Sequence, residues 1–169
     1  MAKEHLFHNI EPVYNANSRI LMLGSFPSPK SREMGFYYGH PQNIFWPTIA
    51  QALGKKEPEP TATARKGFAL ANGIALWDVL ASCEIKGAAD SSIANAVPND
   101  INKILRAADI KAIFTTGKTA TALYNKYCLV KTGRKTIYLP STSPANRALQ
   151  KTTQFWESWS QIQNYLCEK

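Results

Sequence analysis

Between Tyr37 and Pro47 the chain reads YYGHPQNIFWP, with aromatic rings, a histidine and a short amide set immediately before a helix-like pattern. Rings at a loop-to-helix junction can stack on a planar ligand. Asn43 can accept an orphan first-turn amide hydrogen as a helix cap, and Pro47 is tolerated there because the first turn needs few of its own amide hydrogens. Three other segments carry clustered polar side chains. GSFPS (24–28) joins two small hydroxyl residues to a proline turn, a pattern equally suited to a plain turn or an anion nest. TTGKTAT (115–121) contains G-K-T, but a phosphate-binding P-loop needs a glycine five residues before Gly117, where Ala112 stands. Gly117 then serves a tight strand-to-helix turn and Lys118 is free for a backbone phosphate. STSPANR (141–147) is either a turn or a set of phosphate contacts around a Pro144–Ala145 wedge, with Arg147 and Lys151 adding charge. Apolar wedges of this kind help open a duplex stack.

Side chains so far apart in sequence act together only if the fold gathers them. Four continuous apolar runs supply the means: 19–25 (RILMLGS), 73–78 (GIALWD), 111–117 (KAIFTTG) and 134–140 (RKTIYLP). Unbroken rather than alternating hydrophobicity is expected of parallel strands covered on both faces. Helical patterns lie between and after them. Trp46, Ile49, Ala50 and Leu53 recur at helical spacing, and 61–72 and 118–129 form further helices. Another starts within 98–108 (PNDINKILRAA) with Asn99 or Asp100 as cap. In the last segment Phe155, Trp159, Ile162 and Leu166 share one face as core packing. Alternating strands and helices place the chain in the α/β class, as one domain over residues 1–169. Right-handed crossovers make it a three-layer α/β/α sandwich around a central, mainly parallel four-stranded sheet. Ligands of such sheets bind beyond the carboxyl ends of the strands. The GSFPS elbow, the aromatic loop, Trp77–Asp78 and SPANR all follow strands at that edge. Nearly twenty residues separate the first strand from the next helix, which marks a functional loop.

Composition narrows the chemistry. The chain has 169 residues, 44% hydrophobic and 19% charged, and no apolar run near the roughly 18 residues that span a bilayer. The N-terminus carries acidic residues and no apolar core of a signal peptide, so the cytoplasm is the expected compartment. Cys83, Cys128 and Cys167 are widely spaced and odd in number, and His5, His8 and His40 lack metal-ligand spacing, so no metal is expected and the thiols read as ordinary packed side chains. A formal charge of +8 favours a polyanionic partner.

Taken together, GSFPS, YYGHPQNIFWP and TSPANR resemble the motifs of the uracil-DNA glycosylase superfamily, and within it the hypoxanthine-DNA (DNA-deoxyinosine) glycosylase branch close to the mismatch-specific enzymes. The resemblance runs from about Ile20 to Leu166. It implies a monofunctional base-excision enzyme without cofactor, acting as a monomer on DNA that contains a damaged base, in a bacterial or archaeal cytosol. Two departures bear on specificity. Phe26 stands where uracil-specific relatives have Asp or Asn, and Ser141 where they often have a catalytic His. By the resemblance, Asn43 is the catalytic residue, holding the attacking water. Tyr38, assisted by Phe36, stacks on the flipped base, with Phe26 lining the pocket. Asp78 reads the base edge or braces its loop, and His40 polarises a base oxygen, contacts phosphate or is structural. Ser25, Ser28, Ser31, Lys118, Ser143 and Arg147 contact phosphates, with Pro144, Ala145 and Asn146 at the intercalating tip. A uracil or mismatch glycosylase and a non-catalytic DNA-binding module are the alternatives.

Overall fold

The four apolar runs form strands, of which the first three are buried almost throughout and the last, at the sheet edge, is buried only at Leu139. The computed structural model describes residues 2–166. In chain order the elements are β1 (Glu4–Phe7), β2 (Ile20–Gly24), α1 (Pro29–Met34), α2 (Phe45–Leu53), α3 (Ala62–Ala71), β3 (Ile74–Asp78), β4 (Leu80–Lys86) and β5 (Ala89–Pro98). There follow α4 (Asn102–Ala107), β6 (Ala112–Thr116), α5 (Lys118–Tyr127), α6 (Leu129–Thr132), β7 (Ile137–Leu139), a 3-10 turn (Pro144–Asn146), α7 (Arg147–Gln150), α8 (Thr153–Ser160) and α9 (Gln163–Leu166).

The central sheet has the order β3-β2-β6-β7, parallel throughout. Every residue of β2 and β3 is buried, which explains why their sequences do not alternate. The step from β2 to β3 runs one way across the sheet, and the steps from β3 to β6 and β6 to β7 run the other way. Right-handed crossovers therefore put α2 and α3 on one face and α4 and α5 on the opposite one. α8 returns to the α2 face, where the Trp159 ring meets Phe45 edge-on at 5.9 Å. Phe155, Trp159 and Ile162 are fully buried there, and the helix breaks before α9, which carries the half-buried Leu166. Cys83 and Cys128 are buried and free; Cys167 lies outside the described residues. Among the described residues no helix is long and apolar enough to cross a membrane.

Three local expectations are corrected. The stretch after β3 is not a loop but a hairpin, β4 and β5, which with β1 makes a second, antiparallel sheet in the order β1-β4-β5. Its ladder carries repeated register shifts and no residue of β5 is fully buried, so no clean period of two marks it in the sequence. The one available signal was Gly87, at φ +60° in the two-residue turn between the Lys86–Ala89 pair. Neither Asn99 nor Asp100 caps α4, whose cap residue is Ile101. Asn99 instead donates to the carbonyls of Asp78 (2.9 Å) and Leu80 (3.1 Å), bracing the end of β3. The long segment after β2 contains the short helix α1, with the Ser28 hydroxyl accepting the Ser31 amide hydrogen as its cap.

Candidate active site

All four parallel strands end around one cavity of about 370 Å³. Gly24 and Ser25 come from the end of β2, Asp78 from β3, Thr116 from β6, and Ser141 to Ala145 from the segment after β7. The connections leave β2 and β6 in opposite directions, so the crevice lies at the switch point of the sheet. Tyr38, His40 and Asn43 form another wall, and the β4–β5 turn brings Gly87, Ala88 and Asp90 across the remaining side.

Asn43 is held by its carbonyl. Oδ1 accepts the Phe45 amide hydrogen at 2.9 Å and the Thr142 hydroxyl at 2.7 Å. A backbone N–H and a hydroxyl whose proton points at Asn43 both require oxygen at that position, and an amide oxygen has two lone pairs. The side chain therefore relieves the first turn of α2, as a cap would, and has only its Nδ2 hydrogens left to offer the cavity. Thr142 is 2% exposed and its own carbonyl accepts the Ile44 amide hydrogen, so the segment after β7 and the start of α2 are tied twice.

Asp78 is buried at 5% exposure, and its Oδ2 lies 2.8 Å from Nε2 of His8, 70 residues away in β1's trailing segment. The Ile10 amide hydrogen is donated to Nδ1 of His8 at 3.4 Å. That bond leaves the ring hydrogen on Nε2, aimed at the carboxylate, so Asp78 is held as an acceptor. Gly24 makes room for it: a Cβ there would stand 2.6 Å from Asp78 Oδ1 and 3.5 Å from the Tyr38 hydroxyl.

Tyr38 adopts φ +53°, a conformation that costs a non-glycine residue about 1–2 kcal/mol. Its hydroxyl bonds Thr116 Oγ1 at 3.1 Å, and its ring stacks on Phe45 at 3.7 Å and 8°. One ring face is thus covered while the residue lines the cavity. Burial, reinforced by the Asp78 charge and only partly offset by the Thr116 bond, holds the phenol far above its ordinary pKa, so it stays protonated. Phe36 is elsewhere: 5% exposed and stacked on Trp46, it belongs to the core and not to a stacking platform. Phe26 lines the cavity, with His8 edge-on at 6.1 Å. His40 accepts the Gln42 amide hydrogen through Nδ1, so a neutral ring presents Nε2–H.

Of the residues expected at phosphates, Lys118 and Arg147 are exposed, and an Arg147 nitrogen lies 3.5 Å from the Gln42 carbonyl. Pro144 and Ala145 line the cavity mouth, with the Ser143 hydroxyl accepting the Ala145 amide hydrogen and Asn146 Nδ2 donating to the Ser141 carbonyl. Ser28 is occupied as the α1 cap. Ser31 is placed differently from the expectation. It is 3% exposed and its hydroxyl accepts the Gly39 amide hydrogen, so it knits the loop from inside. The Ser25 hydroxyl donates to Asp90 at 3.2 Å. Asp90 as a residue is exposed at the cavity rim; the partial desolvation of its carboxyl against the wall raises its pKa above the ordinary range, the Ser25 bond lowers it, and the Asp78 charge raises it further. His8, Asp90 and Thr142 were not singled out from the sequence, and His8 had no local signal at all. Among the described residues no group of three or more His, Cys, Asp or Glu could hold a metal ion.

The comparisons with known proteins agree with this geometry. A family model described as the uracil DNA glycosylase superfamily matches residues 11–163. A hypoxanthine DNA glycosylase of Methanosarcina acetivorans is 32% identical over 148 residues, covering 86% of this chain and 92% of that protein. One from Methanosarcina barkeri is 32% identical over 143 residues, covering 83% and 89%. The solution NMR structure of a Methanosarcina acetivorans protein assigned as a uracil DNA glycosylase superposes with a TM-score of 0.77 at 30% identity, covering 98% of this chain and 99% of that one. Because the matched span contains the whole parallel sheet and every residue lining the cavity, the chain belongs to the uracil DNA glycosylase superfamily.

Proposed function

We propose that the cavity receives a deaminated base flipped out of DNA, hypoxanthine by preference, and that the enzyme hydrolyses its N-glycosidic bond. A base within a duplex is shielded by its neighbours and must be extruded before any side chain can reach its sugar bond. Tyr38 then meets the base face, a contact worth about 1–3 kcal/mol by analogy with base–aromatic stacking elsewhere. The Pro144–Ala145 tip at the cavity mouth fills the space the base has left.

One observation carries the base preference: Asp78 is pinned by His8 as a hydrogen-bond acceptor at the cavity wall. Hypoxanthine presents an N1–H donor, which a carboxylate accepts, whereas adenine presents a bare N1 that a carboxylate repels. Deamination thus converts a rejected edge into an accepted one. The two relatives that carry the name hypoxanthine DNA glycosylase support the same reading. Uracil also offers an N–H donor on the corresponding edge, which makes it the second substrate to compare.

With its carbonyl engaged, Asn43 holds the attacking water through Nδ2–H, donating to the water oxygen. An amide takes no proton, so this arrangement suits a dissociative transition state in which the base departs ahead of attack. The site then contributes preorganised dipoles around the developing charges. Single-turnover release from oligonucleotides bearing hypoxanthine, uracil, xanthine or adenine tests the proposal. Hypoxanthine is expected to be released fastest and adenine not at all, and Asn43→Ala is expected to slow release by on the order of 10²-fold. Faster uracil release would move the preference to the second substrate. Binding without release of any base would make the fold a DNA-binding module and end the proposal.

A further inference from the structure

Hydrolysis requires a group that takes a proton from the attacking water, and the side chains around the cavity can be considered in turn. Both acceptor positions of Asn43 Oδ1 are filled by Phe45 and Thr142. His40 Nδ1 is filled by the Gln42 amide. Thr116 Oγ1 is shared between Tyr38 and the Leu23 carbonyl. Asp78 gives one oxygen to His8 and is assigned to the base edge. Phe26 offers only a ring, and backbone carbonyls orient water without taking its proton.

Asp90 remains. It lines the cavity from β5, and its Oδ2 accepts the hydroxyl of Ser25, the residue directly before Phe26, at 3.2 Å. The hairpin absent from the sequence-based fold thereby sets a carboxylate beside the elbow after β2, 65 residues away in the chain. We infer that Asp90 accepts the proton of the attacking water, with Ser25 holding the carboxylate in place. The inference rests on the glycosylase reading of the cavity given above. In the step, the C1′–N bond breaks first and its electron pair leaves with the base, which is then protonated from solvent. The water oxygen next bonds to the electron-poor C1′ of the sugar while one of its protons passes to Asp90. A carboxyl whose pKa is raised by its surroundings is a stronger base than an ordinary carboxylate, which suits this task.

Single-turnover release from a hypoxanthine duplex, measured for wild type, Asp90→Asn, Ser25→Ala and Asn43→Ala, tests the assignment, with duplex affinity and thermal melting measured alongside. Loss of a general base typically costs about 10²–10⁴-fold. We expect Asp90→Asn to fall by at least 10²-fold with duplex affinity within about threefold of wild type. Ser25→Ala, which keeps the carboxylate, should slow release by about 2- to 10-fold. The melting control has a defined sign. A carboxyl with a raised folded-state pKa contributes stability that is present at low pH and is lost as pH rises through that pKa. Because Asp90 is exposed, solvent screens most of the penalty on its charge, and Asp90→Asn should melt close to wild type at neutral pH. Wild-type release by Asp90→Asn while Asn43→Ala is inactive overturns the inference and leaves the glycosylase reading standing. Wild-type release by both variants overturns both. If Asp90→Asn fails to fold, Ser25→Ala decides: unchanged release rejects the inference.

Discussion

Replacing Thr142 by Val removes one hydroxyl and tests whether catalysis depends on how Asn43 is held. The hydroxyl is buried in a residue 2% exposed and donates to Asn43 Oδ1 at 2.7 Å, while Val keeps the branched shape. After the change Asn43 retains the Phe45 amide hydrogen at 2.9 Å, so its carbonyl still faces the same way but with one anchor in place of two. A neutral intramolecular hydrogen bond contributes about 0.5–1.5 kcal/mol, which corresponds to a 2- to 10-fold loss in the population of the held geometry. Single-turnover release at saturating enzyme should slow by that factor, with melting about 1–6 °C lower for a chain of this size. Thr142→Ser, which restores the donor, should recover most of the rate. Duplex affinity should hardly change, because Thr142 is buried and offers no surface to a ligand. Thr142→Val releasing base at the wild-type rate, or slow only through weaker binding, would refute the claim that the anchored carbonyl orients Asn43.

Three further substitutions probe the floor and the rim. Gly24→Ala places a methyl group 2.6 Å from Asp78 Oδ1, and that carboxylate can yield only by disturbing the 2.8 Å bond of its other oxygen to His8. Overpacking of this kind costs about 1–3 kcal/mol, so both melting temperature and base release should fall, the latter by about tenfold or more; an unaltered rate would show that Asp78 is not positioned by the glycine. Lys118→Ala and Arg147→Ala should each reduce the slope of log affinity against log salt by about 0.9 while leaving release at saturating enzyme unchanged. A salt titration of duplex binding checks this, and a slope equal to wild type would remove that residue from the phosphate contacts.

Which parts of this were legible beforehand follows from the range of the forces involved. Three of the parallel strands could be read because burial on both faces imposes an uninterrupted apolar run of a few residues, a local signature, and the edge strand β7 because its short apolar run lies between polar flanks. Phe155, Trp159 and Ile162 could be read because one helical face meets the core, again locally. Strand ends in a parallel sheet gather at one edge whatever the detailed packing. That is why Tyr38, His40, Asn43 and Asp78 could be grouped, and they line one cavity. The β4–β5 hairpin was not legible, because an irregular ladder whose β5 strand has no fully buried residue leaves neither a clean alternation nor a hydrophobic run. Ser31 looked like a surface hydroxyl because a serine in a polar loop gives no sign of being turned inward to meet Gly39.

The order of apolar runs and helical patterns, the basic charge and the motif-bearing loops were thus determined by the sequence itself, because each depends on neighbours only a few positions apart. What the tertiary structure alone decided is the electrostatic state of the site. Thr142 reaches Asn43 across 99 positions, His8 reaches Asp78 across 70, and Ser25 reaches Asp90 across 65. These pairings come from the register of the parallel sheet and the return of the hairpin and β1 over its edge. A hydrogen bond selects its partner within a few tenths of an ångström, a precision that emerges only when the whole core has packed.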